Sequence, residues 1–322
     1  MKIKRLFIYP VKSLLPVEVS YAEITPEGLR FDRQYILIKS PENSSGPILE
    51  HLTIKTNYLL GLFQPAITDD WTTLTIRHTL VQPESSIRLS LTPSPLSCLQ
   101  SKEYKVNIFG TEAAGIDMGD EPANFFGSHL GIPVRLLFIA GSGHREIPGA
   151  PFIPRHLMSL SIRPHETRQP QRIRFADAAP LLITSCKSEQ EARSRLPSAN
   201  QGEDVIILFR PNVHIDVDPD SQPFEEDNWK ELLVYSQDAS VEKAVIRCIF
   251  KTPRCVSLNV DLKTGRRAPR DQQMYGLLAP DRRVNNAFPH KPVFGQYACA
   301  APNGAILRVG DVVQVTEQEN ST

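Results

Sequence analysis

The sequence predicts a mixed, mainly β (α+β) protein with two barrel-like domains and only a few helices. Short runs of β-branched and aromatic residues recur along the chain, separated by turn residues, a pattern typical of barrels and sandwiches. The length of 322 residues exceeds the usual size of one domain, so two domains are expected. The runs in the N-terminal part read IKRLFIYP, VEVSYAEIT, RQYILIK, TTLTIRHTLV, SIRLSLT and YKVNIF.

The expected domains divide the chain into three parts. Residues 1–115 are predicted to form an N-terminal β-barrel domain, residues 116–175 a helix followed by a Pro-, Arg- and His-rich connection, and residues 176–318 a second β-barrel domain. The helix is expected over 120–131, because an acidic residue opens that segment and three apolar residues share one face. Gly28 marks a turn at which positive φ is expected.

The second domain is predicted from its own runs of residues. RFADAAPLLITS and VIILFRPNVHID are predicted strands, the latter interrupted at Pro211, because proline breaks a β-ladder and marks a bulge, an edge or a strand end. Between them CKSEQEARSRLP predicts a helix that begins near Ser185 or Ser188. The acidic segment PFEEDNWKELL is expected to be a turn with a solvated face. The remaining predicted strands are VEKAVIRCIFK, SLNVDL and AILRVGDVVQV.

The composition is that of an ordinary globular protein, and it excludes several classes of function. Hydrophobic residues make up 41% of the chain and charged residues 22%. Lys plus Arg number 36, as do Asp plus Glu, so no overall charge attracts nucleic acid or an anionic membrane. No apolar stretch reaches the roughly 18 to 20 residues that span a bilayer. Five irregularly spaced cysteines fit no disulfide, zinc or iron–sulfur pattern, and together these features predict a cytoplasmic protein.

The segment 245–265, VIRCIFKTPRCVSLNVDLKTG, holds two cysteines among basic residues. Cys248 lies within the apolar run VIRCIF and is predicted to be a packing residue. Cys255 follows Arg254, and Lys251 is near in sequence, so cations are available to stabilise a thiolate that binds a soft metal or attacks an electrophile. The alternative interpretation of Cys255 is that it, like Cys248, is a small packing residue of the core.

Polar residues at predicted strand ends suggest an anion site. Lys12 and Ser13 follow a proline that ends the first strand, and an ammonium and a hydroxyl are both good phosphate ligands. Taken alone, these two residues are better explained as an exposed strand end. Arg210 and Asn212 interrupt a β run, where they are costly to bury unless something hydrogen-bonds them.

Taken together, seven segments resemble the MOSC superfamily, and within it the two-domain proteins with an N-terminal MOSC β-barrel domain, such as the mitochondrial amidoxime-reducing component family. They occur in the family's order and extend from residue 3 to about residue 316. The segments are IYPVKS, GLRFDR, RFADAAPLLI, FRPNVHID, FEEDNWKELL, PRCVSLNVDLKTG and FGQYACAAPNGAILRVGD.

The resemblance implies a molybdenum cofactor, in which a pyranopterin dithiolene holds the metal and one protein cysteine completes its sulfur ligation. Cys255 falls at that metal-ligand position, and Asp177 matches an aspartate close to the family's site. Seven further residues match cofactor-contacting positions. They are Lys12, Ser13 and Arg33 near the anionic end, Arg210 and Asn212 at the pterin, and Arg254 and Tyr297 as further contacts.

The sequence departs from the family pattern at two places near these residues. Ala178 and Ala179 stand where the family often has hydroxyl residues, so two side-chain hydrogen bonds to the cofactor are expected to be missing. Thr252 and Pro253 replace the Cys-Ser pair of animal members, and Pro253 has no backbone N–H. The segment 266–286 aligns poorly with the family.

Three functions follow as alternatives. The first is a molybdenum-dependent oxidoreductase that reduces hydroxylamines or amidoximes, with Asp177 relaying protons. Because the chain has no flavin or nicotinamide fingerprint, electrons must come from a partner, for which the resemblance suggests cytochrome b5 and its reductase. The second is a sulfur carrier with a persulfide on Cys255. The third is a non-catalytic cofactor-binding protein. Pyridoxal phosphate binding is a further suggestion by superfamily analogy.

Overall fold

The fold is described from a computed structural model. It covers residues 1–41, 48–81, 84–94, 101–139, 141–147, 171–301 and 304–318. Strands dominate both parts of the chain. Those of the N-terminal part are β1 (Lys2–Ile8), β2 (Val17–Val19), β3 (Tyr21–Thr25), β4 (Gly28–Leu29), β5 (Tyr35–Lys39), β6 (Ile48–Leu49), β7 (Phe63–Ile67), β8 (Thr73–His78), β9 (Ser86–Ser90), β10 (Glu103–Ile108), β11 (Thr111–Asp117) and β12 (Val134–Ile139).

The C-terminal part contains strands β13 to β23. These are β13 (Arg145–Ile147), β14 (Gln171–Ile173), β15 (Leu181–Ser185), β16 (Val213–Asp216), β17 (Trp229–Tyr235), β18 (Glu242–Pro253), β19 (Val260–Asp261), β20 (Arg266–Arg267), β21 (Val293–Ala300), β22 (Ile306–Arg308) and β23 (Val312–Gln318). The described α-helices are α1 (Asp120–Leu130), α2 (Cys186–Ser194), α3 (Ile206–Phe209) and α4 (Met274–Leu278).

The larger sheet closes into a barrel. Its strand order is β16-β15-β21-β18-β17-β23-β1-β2, and β1 also pairs with β16. This pairing closes the seven strands from β16 to β1 into a barrel, with β2 added alongside β1. Inward-facing side chains such as Leu6, Ile183, Leu232 and Ile246 meet in one core cluster. Closure leaves each barrel strand with a partner on either side and so removes open edges.

The N-terminal part forms smaller sheets around this barrel. Strands β5, β12, β11, β10 and β6 make a five-stranded half-barrel, and β7, β8 and β9 make a three-stranded antiparallel sheet. Helix α1 packs Phe126 and Leu130 into the shared core, and its C-terminal residue is followed by Gly131 in the left-handed conformation. The predicted mainly β fold with few helices is confirmed.

Strand pairing also bears on the proposed domains. Although β1 and β2 lie in the first 20 residues, they belong to the larger barrel, since Leu6 pairs with both Val213 and Val19. The boundaries 1–115, 116–175 and 176–318 remain a proposal. Gly28 has φ 105°, as predicted, and a Cβ there would lie 2.6 Å from the Pro180 carbonyl oxygen. This glycine therefore lets the N-terminal part approach the segment that precedes β15.

Three predicted strands are wrong in detail. The residues 174–180 precede β15 without strand pairing, residues 206–209 form the helical turn α3, and residues 256–259 form a 3-10 turn. Apolar and β-branched residues within or directly after these segments favoured strands, but the backbone turns there towards the site described below. The predicted helix from 186 is confirmed: Ser185 caps α2, and its hydroxyl accepts a hydrogen bond from the Ser188 amide.

The acidic segment before β17 is also not the solvated face that was expected. A 3-10 turn covers Glu225–Asn228, and the side chains of Glu226 and Asp227 are buried. Glu226 accepts hydrogen bonds from the hydroxyls of Ser185 and Ser188 at the start of α2. Those hydroxyls lie some 40 positions earlier, so acidic composition alone did not reveal the burial.

Candidate functional site

One cavity gathers the residues that the sequence singled out. It has a volume of about 160 Å³ and is named here the inner cavity. Both parts of the chain contribute to its wall. All nine predicted residues line it: Lys12, Ser13, Arg33, Asp177, Arg210, Asn212, Arg254, Cys255 and Tyr297.

Unusual backbone geometry brings several of these side chains to the wall. Ser13 has φ 73°, Arg33 has φ 47° and Arg210 has φ 59°, so all three lie in the left-handed region that non-glycine residues seldom adopt. Arg210 ends α3 and reverses the chain before Pro211 and β16. Such strain persists only where the surrounding structure fixes it, and it is concentrated at functional sites.

Arg33 connects the two parts of the chain. Its guanidinium donates to Asp32 Oδ2 at 2.6 Å, to Asn212 Oδ1 at 3.0 Å and to the Arg210 carbonyl oxygen at 3.3 Å. Burial opposes the charge of Arg33, but Asp32, Tyr9 and Asp177 together outweigh burial and raise the pKa of Arg33. Arg33 is therefore a fixed cation.

The amide of Asn212 is largely used within the protein. Its Oδ1 accepts from the Leu182 amide at 3.2 Å as well as from Arg33, and its Nδ2 donates to the Phe7 carbonyl oxygen at 3.2 Å. Asn212 thus ties β1 and β15 together at the cavity wall.

Tyr9 is a residue that the sequence analysis missed. Its ring lies beneath two guanidinium groups, 4.2 Å from that of Arg33 and 4.4 Å from that of Arg210. The ring is fully buried, and burial raises the pKa of its hydroxyl. A cation over an aromatic face is attracted to it, so the Tyr9 ring stabilises both guanidinium groups near the cavity.

Arg210 and Arg254 have no carboxylate partner in the described part of the chain. Arg210 donates to the Leu14 carbonyl oxygen at 2.7 Å, and Arg254 donates to that of Phe209 at 2.7 Å. Burial lowers the pKa of Arg210 to about 10, and burial also lowers the pKa of Arg254. A guanidinium group stays protonated in proteins at neutral pH, so both arginines are available to pair with an anionic ligand.

Lys12 and Asp177 form an ion pair in the cavity. The Lys12 ammonium is buried and donates to Asp177 Oδ1 and, at 2.9 Å, to the Phe175 carbonyl oxygen. Asp177 is 47% exposed at the wall. Burial opposes the charge of Asp177, but Lys12, with smaller contributions from groups such as Arg33, outweighs burial and lowers the pKa of Asp177. Asp177 is therefore ionised at neutral pH.

Cys255 stands at the start of the 3-10 turn 256–259 and is partly exposed to the cavity. Its Sγ lies 3.0 Å from the Ser257 hydroxyl oxygen. Cys248, in contrast, packs against the main core, and burial raises the pKa of its thiol. The predicted packing role of Cys248 is confirmed, whereas the position of Cys255 leaves its thiol accessible to a ligand.

Charge dominates the chemistry of the inner cavity. Its wall carries five basic side chains, those of Lys12, Arg33, Lys55, Arg210 and Arg254, but a single carboxylate, that of Asp177. Clustered cations in a partly buried site are costly unless an anion compensates them. The wall therefore suits a ligand with several negative charges.

A phosphorylated pterin dithiolene fits this set of donors. Guanidinium and ammonium groups suit its phosphate, and the thiol of Cys255 is a soft ligand for a metal beside the sulfur donors. Ala179 lies on the inner wall, so the hydroxyl that the family often places there is missing from the site itself.

A second, wider cavity adjoins the first. It has a volume of about 870 Å³ and is named here the outer vestibule. Cys255, Asp177 and Tyr297 line both cavities. His51, which the sequence analysis also missed, lines both as well; burial and the nearby Lys12 charge lower its pKa to about 4, so its ring is neutral at pH 7.

Family models match most of the chain. A model described as the MOSC N-terminal beta barrel domain matches residues 1–133, and one described as the MOSC domain matches residues 170–314. No α-helix among the described residues is both long and apolar enough to cross a membrane.

Curated relatives match over nearly the full chain. Mitochondrial amidoxime reducing component 2 of Macaca fascicularis is 30% identical over 97% of this chain and 82% of its own length. Mitochondrial amidoxime-reducing component 1 of Mus musculus is 28% identical over 98% of this chain and 82% of its own length. Molybdenum cofactor sulfurase of Danio rerio is 27% identical over 91% of this chain but only 31% of its own length. The chain therefore belongs to the family of two-domain MOSC proteins that includes the amidoxime-reducing components.

Proposed function

We propose that the protein is a molybdenum-cofactor-dependent oxidoreductase that reduces N-oxygenated substrates of the hydroxylamine or amidoxime type. The observation that carries the proposal is the inner cavity, where five cations and an accessible thiol face a single carboxylate. The relatives named as amidoxime-reducing components support the same reaction class.

The residues have distinct roles in this proposal. Lys12, Ser13 and Arg33 would hold the phosphate, and Arg210, Asn212, Arg254 and Tyr297 the pterin. The thiolate of Cys255 would bind the metal. Arg33 and Asn212 are already hydrogen-bonded to each other, so this part of the site is organised before any ligand binds.

The reaction cleaves an N–O bond. When bound, the cofactor supplies a metal that exchanges two electrons with the substrate. The oxygen leaves as water, and the balance requires two electrons and two protons for each N–OH group reduced to N–H. Asp177 is ionised and half exposed. In this proposal it accepts a proton from solvent and passes it to the leaving oxygen, and it is unprotonated between turnovers.

Electrons must come from outside the chain. We propose a partner electron-transfer protein, of the kind formed by cytochrome b5 and its reductase. A cytoplasmic location remains part of the proposal. Pyridoxal phosphate binding is not proposed, because no family model or relative above indicates it.

The test is the molybdenum content of the purified protein. We expect about one equivalent per chain in the wild type and nearly none in Cys255→Ala, because a single protein sulfur anchors the metal. Cys248→Ala is the matched control, since Cys248 packs in the core and should leave the metal content unchanged.

Catalysis is tested on the same preparations with a model amidoxime and an artificial electron donor. Reduction by the wild type and its loss in Cys255→Ala are expected. A fully metallated protein that reduces nothing would contradict the oxidoreductase and leave a cofactor-binding protein, a role to which the alanines at 178 and 179 give some weight.

A second candidate is a sulfur carrier. The accessible Cys255 thiol and the likeness to a molybdenum cofactor sulfurase favour it. Metal-free protein with a cyanide-releasable sulfur that disappears in Cys255→Ala is the result that would establish this candidate in place of the first.

A further inference from the structure

The outer vestibule is placed to receive the organic part of a substrate. It shares Cys255, Asp177 and Tyr297 with the inner cavity, so a molecule in the vestibule meets the proposed metal ligand and the proton relay together. The vestibule, at about 870 Å³, lies in the size range of ordinary small-molecule sites.

Aromatic side chains form much of its wall. The rings of Phe250 and Phe288 meet edge to face at 5.8 Å, and Tyr297 packs in the same cluster. From the N-terminal part, Phe109 in the turn between β10 and β11 reaches the vestibule with 49% of its surface exposed and φ 51°. Rings in such positions favour flat apolar ligands, which stack on them.

The segment 285–291 that carries Phe288 is held in place. Asn285 donates to the Lys251 carbonyl oxygen at 2.8 Å and accepts from the Ala287 amide at 3.0 Å. The Lys291 amide donates to the Phe288 carbonyl oxygen at 3.0 Å. These bonds anchor the segment to β18, so Phe288 and Lys291 are positioned before a ligand arrives.

The charges of the vestibule do not balance. Lys39 pairs with Glu50 at 3.5 Å, and Asp177 pairs with Lys12 of the inner cavity. Lys291 lines the vestibule and Lys55 lines both cavities, and neither forms an ion pair with any side chain that the structure describes. The Lys291 ammonium lies over the Phe288 ring, 5.1 Å from its centre, so the vestibule presents a cation and an aromatic ring together.

We propose that the outer vestibule selects flat aromatic substrates that carry a negative charge, such as a carboxylate, on the ring. The aromatic wall binds the ring, and Lys55 and Lys291 attract the anion. The inference rests on the proposed function, because it assigns the N-oxygenated end of the molecule to Cys255 and Asp177.

Equilibrium binding tests the inference without turnover. The probes are three non-reducible amides that share one ring: benzamide, 4-carboxybenzamide and 4-(aminomethyl)benzamide. Calorimetry on the full chain should show the carboxylate probe binding about fivefold more tightly than benzamide, the effect of two solvent-exposed ion pairs. The advantage should decrease as salt is added.

Variants identify the residues responsible. The double variant Lys55→Gln/Lys291→Gln should bind benzamide and 4-carboxybenzamide equally. The matched control Lys39→Gln/Glu50→Gln removes a neutral ion pair from the same vestibule and should keep the preference. Phe288→Leu should weaken the binding of all three probes by a similar factor. Equal binding of the three probes by the wild type, or a preference for the aminomethyl probe, would overturn the inference.

The outcome is separable from that of the proposed function. Protein that prefers the carboxylate probe but holds no molybdenum would refute the function and retain the vestibule. Protein that is metallated and reduces neutral amidoximes, but shows no preference among the probes, would refute the vestibule alone.

Discussion

Two groups of buried charges in this protein are organised in opposite ways. In the inner cavity, cations outnumber carboxylates, and among the described residues Arg210 and Arg254 donate hydrogen bonds to carbonyl oxygens and to no carboxylate. In a second group, named here the buried ion cluster, each ionisable side chain contacts a complementary side chain of the protein. Its members are Glu189, His214, Glu226, Asp227 and Arg282, with the serines at the start of α2.

The partners in the buried ion cluster come from separate elements. His214 on β16 contacts Glu189 of α2 at 3.0 Å and Thr184 of β15 at 2.9 Å. Arg282 follows α4 and pairs with Asp227, both being nearly fully buried. This cluster joins elements to one another, whereas the inner cavity presents charges to a ligand. The difference indicates that buried charge contributes to the architecture where it is matched and to binding where it is not.

The largest effect is expected from breaking a matched pair. Arg282→Met should lower the free energy of unfolding by about 3–5 kcal/mol, because it leaves the Asp227 carboxylate buried without its cation. Urea unfolding measures the change. The double variant Arg282→Met/Asp227→Leu should recover most of the loss, and a loss below about 1 kcal/mol in the single variant would contradict the distinction.

The second prediction concerns pH. Burial, and next the neighbouring Asp227, raises the pKa of Glu226 above the ordinary value of about 4.5. Above that pH the unfolded chain releases a proton that folded Glu226 keeps, so this residue makes stability decrease as pH rises towards its folded pKa. In Glu226→Gln this contribution is absent. The stability of the variant relative to the wild type should therefore rise with pH, by up to about 1.4 kcal/mol per pH unit.

Urea midpoints of both proteins at about pH 5, 6 and 7 give this difference. Glutamine offers an oxygen to the hydroxyls of Ser185 and Ser188, so the hydrogen bonds of the carboxylic acid are largely preserved. A pH-independent difference would show that Glu226 is ionised in the folded protein over this range.

The smallest effect is expected in the inner cavity, where Arg210 and Arg254 have no carboxylate partners among the described residues. Inorganic pyrophosphate should stabilise metal-free wild type by about 1 kcal/mol at a concentration a few times its dissociation constant. Arg210→Met/Arg254→Met should be no less stable than the wild type in anion-free buffer, since it removes two cations without carboxylate partners, and it should lose the pyrophosphate effect. Thermal unfolding with and without the anion measures both changes.

Arg282→Met is the control. Arg282 already pairs with Asp227, so the variant should keep the stabilisation by pyrophosphate. Equal stabilisation of the double variant and the wild type would show that these arginines do not form the anion site.

The sequence allowed the composition of the site to be predicted better than its backbone. All nine predicted residues line one cavity, because resemblance over separated segments preserves which residues meet. The helical turn α3 and the left-handed Arg210 were missed, since β-branched residues favour strands and nothing local marks a non-glycine residue at positive φ. The burial of Glu226 and the place of Tyr9 depend on partners distant in the chain, which local patterns do not show.

The pairing of β1 has a consequence for how the chain is made. β1 leaves the ribosome before the strands with which it pairs, since Leu6 pairs with Val213 and Lys2 with Val312. The seam of the barrel therefore forms only after more than 200 further residues have emerged. Contacts so distant in sequence slow folding and leave an unpaired strand exposed in the nascent chain. The half-barrel strands are synthesised during that interval and can associate before the seam closes.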